Sequence, residues 1–494
     1  MPSILALDQG TTGSTALVVH ADGRILGRGY REFQQHYPQP GWVEHDADEI
    51  FRVTLEAARD AIAASGEGPS AIGITNQRET VVLWDRATLA PVARAIVWQD
   101  RRTADRCRQL KVEGHADAIQ SATGLVLDPY FSASKLEWLL RRPELRRRAE
   151  RGELAAGTID SWLVARLTGG RVHVTDHTNA SRTQLYNLDR RTWDPRLLTL
   201  FGIPPEILPA IVPSAGVMAE SDPSHLGRAI PIAGMAGDQQ AALFGQGCVR
   251  PEMAKNTYGT GAFLLTYAGT TRPRAASGLL VTSACGPRGE PAYAMEGSVF
   301  VAGAAIQWMR DGVQVIAAAT ESEALARTVE DTGGVYFVPA FVGLGSPHWE
   351  PEARGTIVGL TRGTTRAHLV RAGLESIAFS SADLLQAMTV EAGMGVEVLR
   401  VDGGATANDW LMQFQADILA TPVERPDNIE TTALGAAALA GLAVGIWPSL
   451  DACLECQGAK RFTPQMAEAE RETRWQGWRR ALRATLAWAE AGSR

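Results

Sequence analysis

The 494-residue chain is short of most of the features that mark common functional classes. Its five cysteines, Cys107, Cys248, Cys285, Cys453 and Cys456, form an odd and scattered set. A zinc or redox centre needs four ligands or a thioredoxin-like setting, and the single CxxC at Cys453 and Cys456 has no second pair. Reduced, structural thiols are the expectation. Positive charge is not in excess either. Lys and Arg number 48 against 55 Asp and Glu, a net charge of −7, which argues against nucleic acid or an anionic membrane as partner. The basic run from Arg141 to Arg148 is broken by Glu144 and carries no aromatic residues, so it reads as a solvated helix face. No apolar run is long enough to cross a bilayer, and no basic leader precedes the first strand. A cytoplasmic location without membrane insertion is expected. A GxxxxGK[ST] loop is also missing, which excludes the P-loop route to nucleotide binding.

What is present has the rhythm of an α/β protein, with strand-like apolar runs alternating with amphipathic stretches. The length predicts at least two domains. Connectors rich in Pro, Gly and Ser at Pro204–Gly216 and Thr270–Gly278 bracket a domain change near Gly247, dividing the chain into 1–247 and 248–494. Strands are predicted at Ala71–Thr75 and Thr80–Trp84. Helices are predicted at Ala47–Ala64, Ser134–Leu140 and His368–Met388. Trp475, Trp478, Leu482 and Leu486 form an apolar stripe at helical spacing near the C-terminal end.

The richest segment is the opening one, Ile4–Val19. An apolar run delivers Asp8 to a loop of Gly10, Thr11, Thr12, Gly13, Ser14 and Thr15, and a second apolar run leaves it. This is strand, tight turn, strand. Gly10 and Gly13 allow backbone N–H groups to approach an anion, the hydroxyls add donors, and Asp8 is placed to hold Mg²⁺ through water. A plain hairpin with a polar tip would look the same, but the pattern recurs. Asn256–Leu265 repeats it around Gly259, Thr260 and Gly261. The run Ile232–Gly237 ends in Asp238 and Gln239, and Leu399–Asn408 ends a strand with Gly403 and Gly404 before an apolar helix. Two hairpins and a Gly-Gly corner from different halves suggest a nucleotide held between duplicated domains.

Arg78 and Glu79 stand side by side after a predicted strand. A guanidinium that donates and a carboxylate that accepts can bind a vicinal diol, and an ion pair closing the strand is the lesser alternative when Asn76–Glu79 is viewed alone. Trp98 and Phe263 could wall the carbon edge of a small polyol. Tyr130 offers a phenolic hydroxyl, and Asp238 and Gln239 complete a ring of acceptors and donors.

Taken together, the Asp8 loop with Pro40–Asp46, Gly73–Thr80, Ile96–Thr103, Asp128–Lys135, Ala236–Gln246, Lys255–Gly261 and Arg400–Asn408 resembles the FGGY family of carbohydrate kinases. The resemblance runs from about Ile4 to Trp488, and Pro40–Asp46, Gly73–Thr80 and Asp128–Lys135 are similar to the members that phosphorylate glycerol. It implies an α/β fold of two ribonuclease H-like (actin-like ATPase) domains with an interdomain cleft, and transfer of phosphate from ATP to glycerol to give sn-glycerol 3-phosphate. It implies Asp238 as general base, with Asp8 and Asp238 anchoring Mg²⁺. Glycerol is then bound by Arg78, Glu79, Trp98, Tyr130, Asp238, Gln239 and Phe263. The nucleotide is lined by Thr11, Thr12, Gly13, Thr15, Thr260, Gly303, Gln307, Gly404 and Asn408. A homo-oligomer, dimer or tetramer, follows from the same resemblance. Thr15 is a departure, because an Arg commonly follows the Thr-Thr pair. Mg²⁺ and backbone donors are then expected to carry more of the transferred charge. A sister kinase for another polyol or a ketopentose, and an actin- or chaperone-like ATP switch, are the competing readings.

Overall fold

The computed structural model describes residues 2–274, 278–393, 395–455 and 458–492, so Cys456 and part of the 270–278 connector lie outside the described residues. In chain order the elements that position the site are β1 (Ser3–Gln9), β2 (Gly13–His20), β3 (Ile25–Glu32), α1 (Ala47–Ser65), β4 (Ala71–Asn76), β5 (Ala215–Glu220), β6 (Pro231–Gly237) and α2 (Asp238–Gly245). They continue with β7 (Met253–Tyr258), β8 (Ala262–Gly269), β9 (Leu280–Cys285), β10 (Pro291–Val299), α3 (Gly303–Asp311) and α4 (Arg366–Ala392). The last are β11 (Val398–Asp402), α5 (Asp409–Leu419), β12 (Val423–Pro426), α6 (Thr431–Ala443), β13 (Ala459–Phe462) and α7 (Glu468–Gly492).

Two mixed sheets result. The first runs β5-β6-β4-β1-β2-β3 and the second β9-β10-β8-β7-β11-β12-β13. In the first, β1, β2 and β3 form an antiparallel set, and β4 and β6 add in parallel beside β1. In the second, β7, β8 and β10 repeat the antiparallel set and β11 and β12 the parallel pair. The same five-strand motif therefore occurs twice. The buried parallel strands read as continuous apolar runs, as strands covered on both faces must.

Helices cover both faces of the first sheet. On one side lies α1, whose N-terminus is capped by Asp46, which accepts from the backbone N–H groups of Asp48 and Glu49. Gly27 and Gly29 in β3 let α1 approach closely, since a side chain there would meet the carbonyls of Ala61 and Ala57. The other side is covered by α6, a helix from the far end of the chain. Gly73 in β4 and Gly234 in β6 abut the backbone of α6 at Ala436 and Ala440. In turn α2 packs on α6, where Gly435 faces the Ala241 carbonyl and Gly245 the Thr431 carbonyl. This stack of small residues seats α2, and hence Asp238, between the two sheets.

The second sheet is covered by α4, α5 and α7, with Phe379 stacked on Trp478 at 5.2 Å between ring centres. Trp475, Trp478 and Leu482 are buried there, with Leu486 packed at the edge, so the stripe expected from the sequence is a core face. The helix expected from Ser134 spans Ser132–Leu139, and the strand expected from Thr80 spans Val82–Asp85. Thr80 is displaced from that strand because a tight turn around Glu79 precedes it.

Candidate active site

Three parallel strands of the first sheet end at one edge. Asp8 pairs in register with Thr75, and Asn76 lies opposite both Gln9 and Gly237. Asp8, Arg78 and Asp238 are therefore delivered to the same place, the carboxyl ends of parallel strands, where α/β sheets bind ligands. Burial, with the Asp238 and Glu430 carboxylates nearby, pushes the Asp8 carboxyl up to about 8. That edge holds more negative charge than it can comfortably ionise, which suits a hard divalent cation. Among the described residues no group of three or more His, Cys, Asp or Glu has metal-holding geometry. Two carboxylates, Asp8 and Asp238, fit Mg²⁺ better than a cation that needs an all-protein cage, since Mg²⁺ keeps several waters.

Asp238 is the first residue of α2, at the end of β6. Its side chain is 30% exposed while that of Arg78 beside it is 2% exposed, so the carboxylate is the group a substrate can reach. Oδ1 accepts from the Gln239 backbone N–H at 2.8 Å and faces Arg78 Nε at 3.2 Å. Oδ2 has a single longer contact, 3.3 Å to Gln239 Nε2. The Gln239 amide is oriented by Lys255 of β7, whose Nζ donates to Gln239 Oε1 and, at 2.8 Å, to Thr257 Oγ1. Burial pushes the Lys255 ammonium down to about 8.

Arg78 and Glu79 are both present at this edge, but they are not chiefly each other's partners. Their closest approach is 3.8 Å. Arg78 is instead bidentate to Glu296 of β10, at 2.6 and 3.0 Å, and also donates to Gln240 Oε1 at 3.2 Å. Glu79 adopts a left-handed backbone, φ 62°, with the Thr80 N–H donating to the Arg78 carbonyl at 2.8 Å. That strained turn aims its carboxylate at Arg182, whose Nε donates to Glu79 Oε1 at 2.6 Å and whose Nη2 donates to Glu296 Oε1 at 2.9 Å. Burial pushes the Glu79 carboxyl up, opposed by Arg78 and Arg182. Glu296 moves the other way: against its burial, Arg182 and Arg78 hold it down at about 2. Arg182 and Glu296 were missed in the sequence. The one signal available is a glutamate in the middle of the apolar run Ala292–Phe300.

Above these charges stands an aromatic wall. Trp98 packs edge-on against Tyr130 at 5.6 Å and Phe263 at 6.4 Å, so three residues expected to meet do meet. Tyr130 is fixed from below by Lys135, whose Nζ donates to the carbonyls of Tyr130 at 2.8 Å and Phe131 at 3.2 Å. Burial raises the Tyr130 hydroxyl far above its ordinary value, with Glu79 adding to the effect, so the phenol stays protonated.

The expected nucleotide residues form two groups. Thr11, Thr12 and Gly13 make the β1–β2 turn, closed by the Gly10 N–H donating to the Gly13 carbonyl at 2.9 Å. Thr15 lies opposite Asp8 on one side and Tyr30 on the other, a hydroxyl between a carboxylate and a phenol. In the second sheet, the Thr260 carbonyl accepts from Ala302 and Ala304, and the Gly303 N–H donates to the Gly259 carbonyl at 3.0 Å. This joins the β7–β8 turn to the N-terminus of α3, on which Gln307 is exposed one turn further along. Gly404 follows Gly403, which is pressed against the Tyr258 carbonyl. Asn408 caps α5, its Oδ1 accepting from the Leu411 N–H at 2.9 Å, which leaves its amide nitrogen as donor.

A duplicated α/β motif, a glycine- and threonine-rich hairpin on each sheet and a buried network of paired charges between them define a two-domain kinase with a cleft. The N-terminal domain of the FGGY family of carbohydrate kinases matches residues 3–245, and its C-terminal domain matches residues 254–444. The chain belongs to this family. It is 54% identical to a glycerol kinase of Carboxydothermus hydrogenoformans, covering 98% of each chain. It is 55% identical to that of Symbiobacterium thermophilum, covering 98% of this chain and 99% of the other. Its fold superposes on the crystal structure of Plasmodium falciparum glycerol kinase with ADP, with a TM-score of 0.93 at 36% identity and 98% coverage of both chains.

Proposed function

We propose that the chain transfers the γ-phosphoryl group of ATP to a terminal hydroxyl of glycerol, producing sn-glycerol 3-phosphate, the first step of glycerol catabolism. The division of labour follows the boundary near Gly247, with the polyol pocket (Phe263 apart) and the first phosphate hairpin before it and the remainder of the nucleotide site, Thr260 included, after it. The observation that carries the reading is the environment of Asp238: an accessible carboxylate whose Oδ1 is already occupied and whose Oδ2 is the more open oxygen. Oδ2 takes the proton of the attacking hydroxyl, while Arg78 and Gln239 hold the carboxylate in place. Arg78, Glu79 and Tyr130 bind the remaining hydroxyls, and Trp98 and Phe263 exclude water from the carbon edge. Thr11, Thr12, Gly13 and Thr260 contact the phosphates, with Thr15 beside them. Gly303, Gln307, Gly404 and Asn408 line the rest of the nucleotide. Asp8 and Asp238 would hold Mg²⁺, which neutralises charge on the transferring phosphoryl group.

The test is ADP release from Mg-ATP with and without glycerol, beside a panel of polyols and ketopentoses. Glycerol should stimulate strongly, and Asp238→Asn should lose on the order of 10²–10⁴-fold in rate. Preferential stimulation by another sugar overturns the substrate, and an active Asp238→Asn overturns the base. The same reading carries a cytoplasmic enzyme working as a dimer or tetramer. Light scattering of the purified protein checks the assembly, and a monomer at assay concentration overturns it.

A further inference from the structure

Glu296 occupies a place where a carboxylate is costly. It sits in the interior of β10, fully buried, and its register partners on either side are Leu265 of β8 and Leu280 of β9. A leucine at that position would serve the sheet equally well, and burying a charge is favourable only when excellent partners repay its lost hydration. Those partners come from the other sheet's side of the cleft. Oε1 accepts from Arg78 Nη2 at 3.0 Å and Arg182 Nη2 at 2.9 Å, and Oε2 accepts from Arg78 Nη1 at 2.6 Å.

We propose that Glu296 is a positioning residue for substrate binding: it fixes the two guanidinium planes of Arg78 and Arg182, and through them the carboxylates of Asp238 and Glu79. This deepens the proposed glycerol site and rests on that reading. The chain of contacts runs Glu79, Arg182, Glu296, Arg78, Asp238, with charge alternating at every step. The hydroxyl acceptor at one end and the base at the other are thereby held in one frame.

A count of donors supports a binding role over a purely structural one. A guanidinium has five N–H groups. In Arg78, Nη1 serves Gln240 and Glu296, one N–H of Nη2 serves Glu296 and Nε faces Asp238. Among the described residues the second N–H of Nη2 has no partner, which leaves it to meet a substrate hydroxyl. In Arg182, Nη1 is buried without a hydrogen-bond partner among the described residues, beside the Tyr130 and Phe131 rings. An inert strut would be saturated. This frame keeps donors in reserve.

Removing the Glu296 charge frees Arg78 to turn fully onto Asp238 and Arg182 onto Glu79, which blocks the acceptors that the hydroxyls need. Glu296→Gln is therefore expected to raise the KM for glycerol by roughly tenfold or more, the scale of one charge-assisted hydrogen bond, and to lower kcat, with the KM for ATP little changed. Glu296→Asp, which keeps the charge on a shorter arm, should recover part of the loss. If Glu296→Gln does not fold, Glu296→Asp and Arg182→Lys carry the test, and both should raise the KM for glycerol selectively. A lowered Tm with glycerol KM and kcat unchanged in the folded variants overturns the role. Wild type assayed alongside separates the two ideas. A wild type indifferent to glycerol overturns the glycerol reading and this role with it, whereas a normal wild type with an unaffected Glu296→Gln overturns the role alone.

Discussion

The indole Nε1 of Trp98 donates to the Oγ1 of Thr11 at 3.0 Å, so the aromatic wall proposed for the polyol is bonded directly to the β1–β2 hairpin proposed for the phosphates. The same wall touches Phe263, which belongs to the second sheet. The proposed substrate pocket, the β1–β2 hairpin and the opposing β7–β8 hairpin are therefore linked by one hydrogen bond and one edge-on ring contact. Trp98→Phe keeps an aromatic wall and deletes the donor. The expected result is a rise of severalfold in the KM for ATP together with a rise in that for glycerol, since one neutral hydrogen bond is worth about 1 kcal/mol. Steady-state kinetics varying each substrate in turn checks it, and an unchanged ATP KM would show that the two subsites are independent.

How much of this was legible in the sequence depends on distance along the chain. Asp8, Arg78 and Asp238 each close a short apolar strand, and a carboxylate or guanidinium at a strand end is visible in a window of a few residues. The hairpin turns at Gly10–Gly13 and Gly259–Gly261 carry their own glycine and threonine signature. Glu296 and Arg182 carry none. Their meaning lies in partners 218 and 103 residues away, Arg78 and Glu79, which no local pattern encodes. For the same reason Arg78 and Glu79, adjacent in sequence, look like a pair, yet each has its best partner elsewhere. The return of α6 to the first sheet is equally hidden. Its run of Ala and Gly is explained only by the backbone atoms of β4, β6 and α2 that press against it.

Gly435 on α6 is the tightest point of that stack, because a methyl group there would run into the Ala241 carbonyl of α2. Gly435→Ala must push the two helices apart. Overpacking of this kind costs about 1–3 kcal/mol, against which the better helix propensity of Ala recovers at most about 1 kcal/mol. Because α2 begins at Asp238, the displacement reaches the proposed base. The variant should melt at lower temperature and also lose kcat more than it changes the KM for ATP. Thermal denaturation combined with kinetics checks both. Equal Tm and kcat to wild type would mean that the helices have slack here.

Behind Asp238 runs a buried polar column that should give the protein a pH-dependent stability of its own. Asp160 accepts from the hydroxyls of Thr158 and Thr175; the neighbouring Asp176 accepts from Thr178 Oγ1 at 2.7 Å; and Thr178 Oγ1 in turn accepts from the backbone N–H of Gly237 at 2.9 Å, one residue before Asp238. Burial, with the Asp176 charge adding to it and the Thr hydroxyls opposing it, pushes the Asp160 carboxyl up to about 7. The folded state thus holds its proton where the unfolded chain, titrating near 4, has released it. Stability from this group is present at pH 4 and is lost progressively as pH rises to about 7, because over that range the unfolded chain has released the proton that the folded chain still holds. The loss over that window amounts to about 4 kcal/mol as an upper figure. Asp160→Asn is neutral throughout and removes it. Melting curves between pH 5 and pH 8 should show the wild type losing stability relative to Asp160→Asn as pH rises. Parallel curves for the two proteins would mean that Asp160 is ionised in the folded protein and that its threonine donors outweigh its burial.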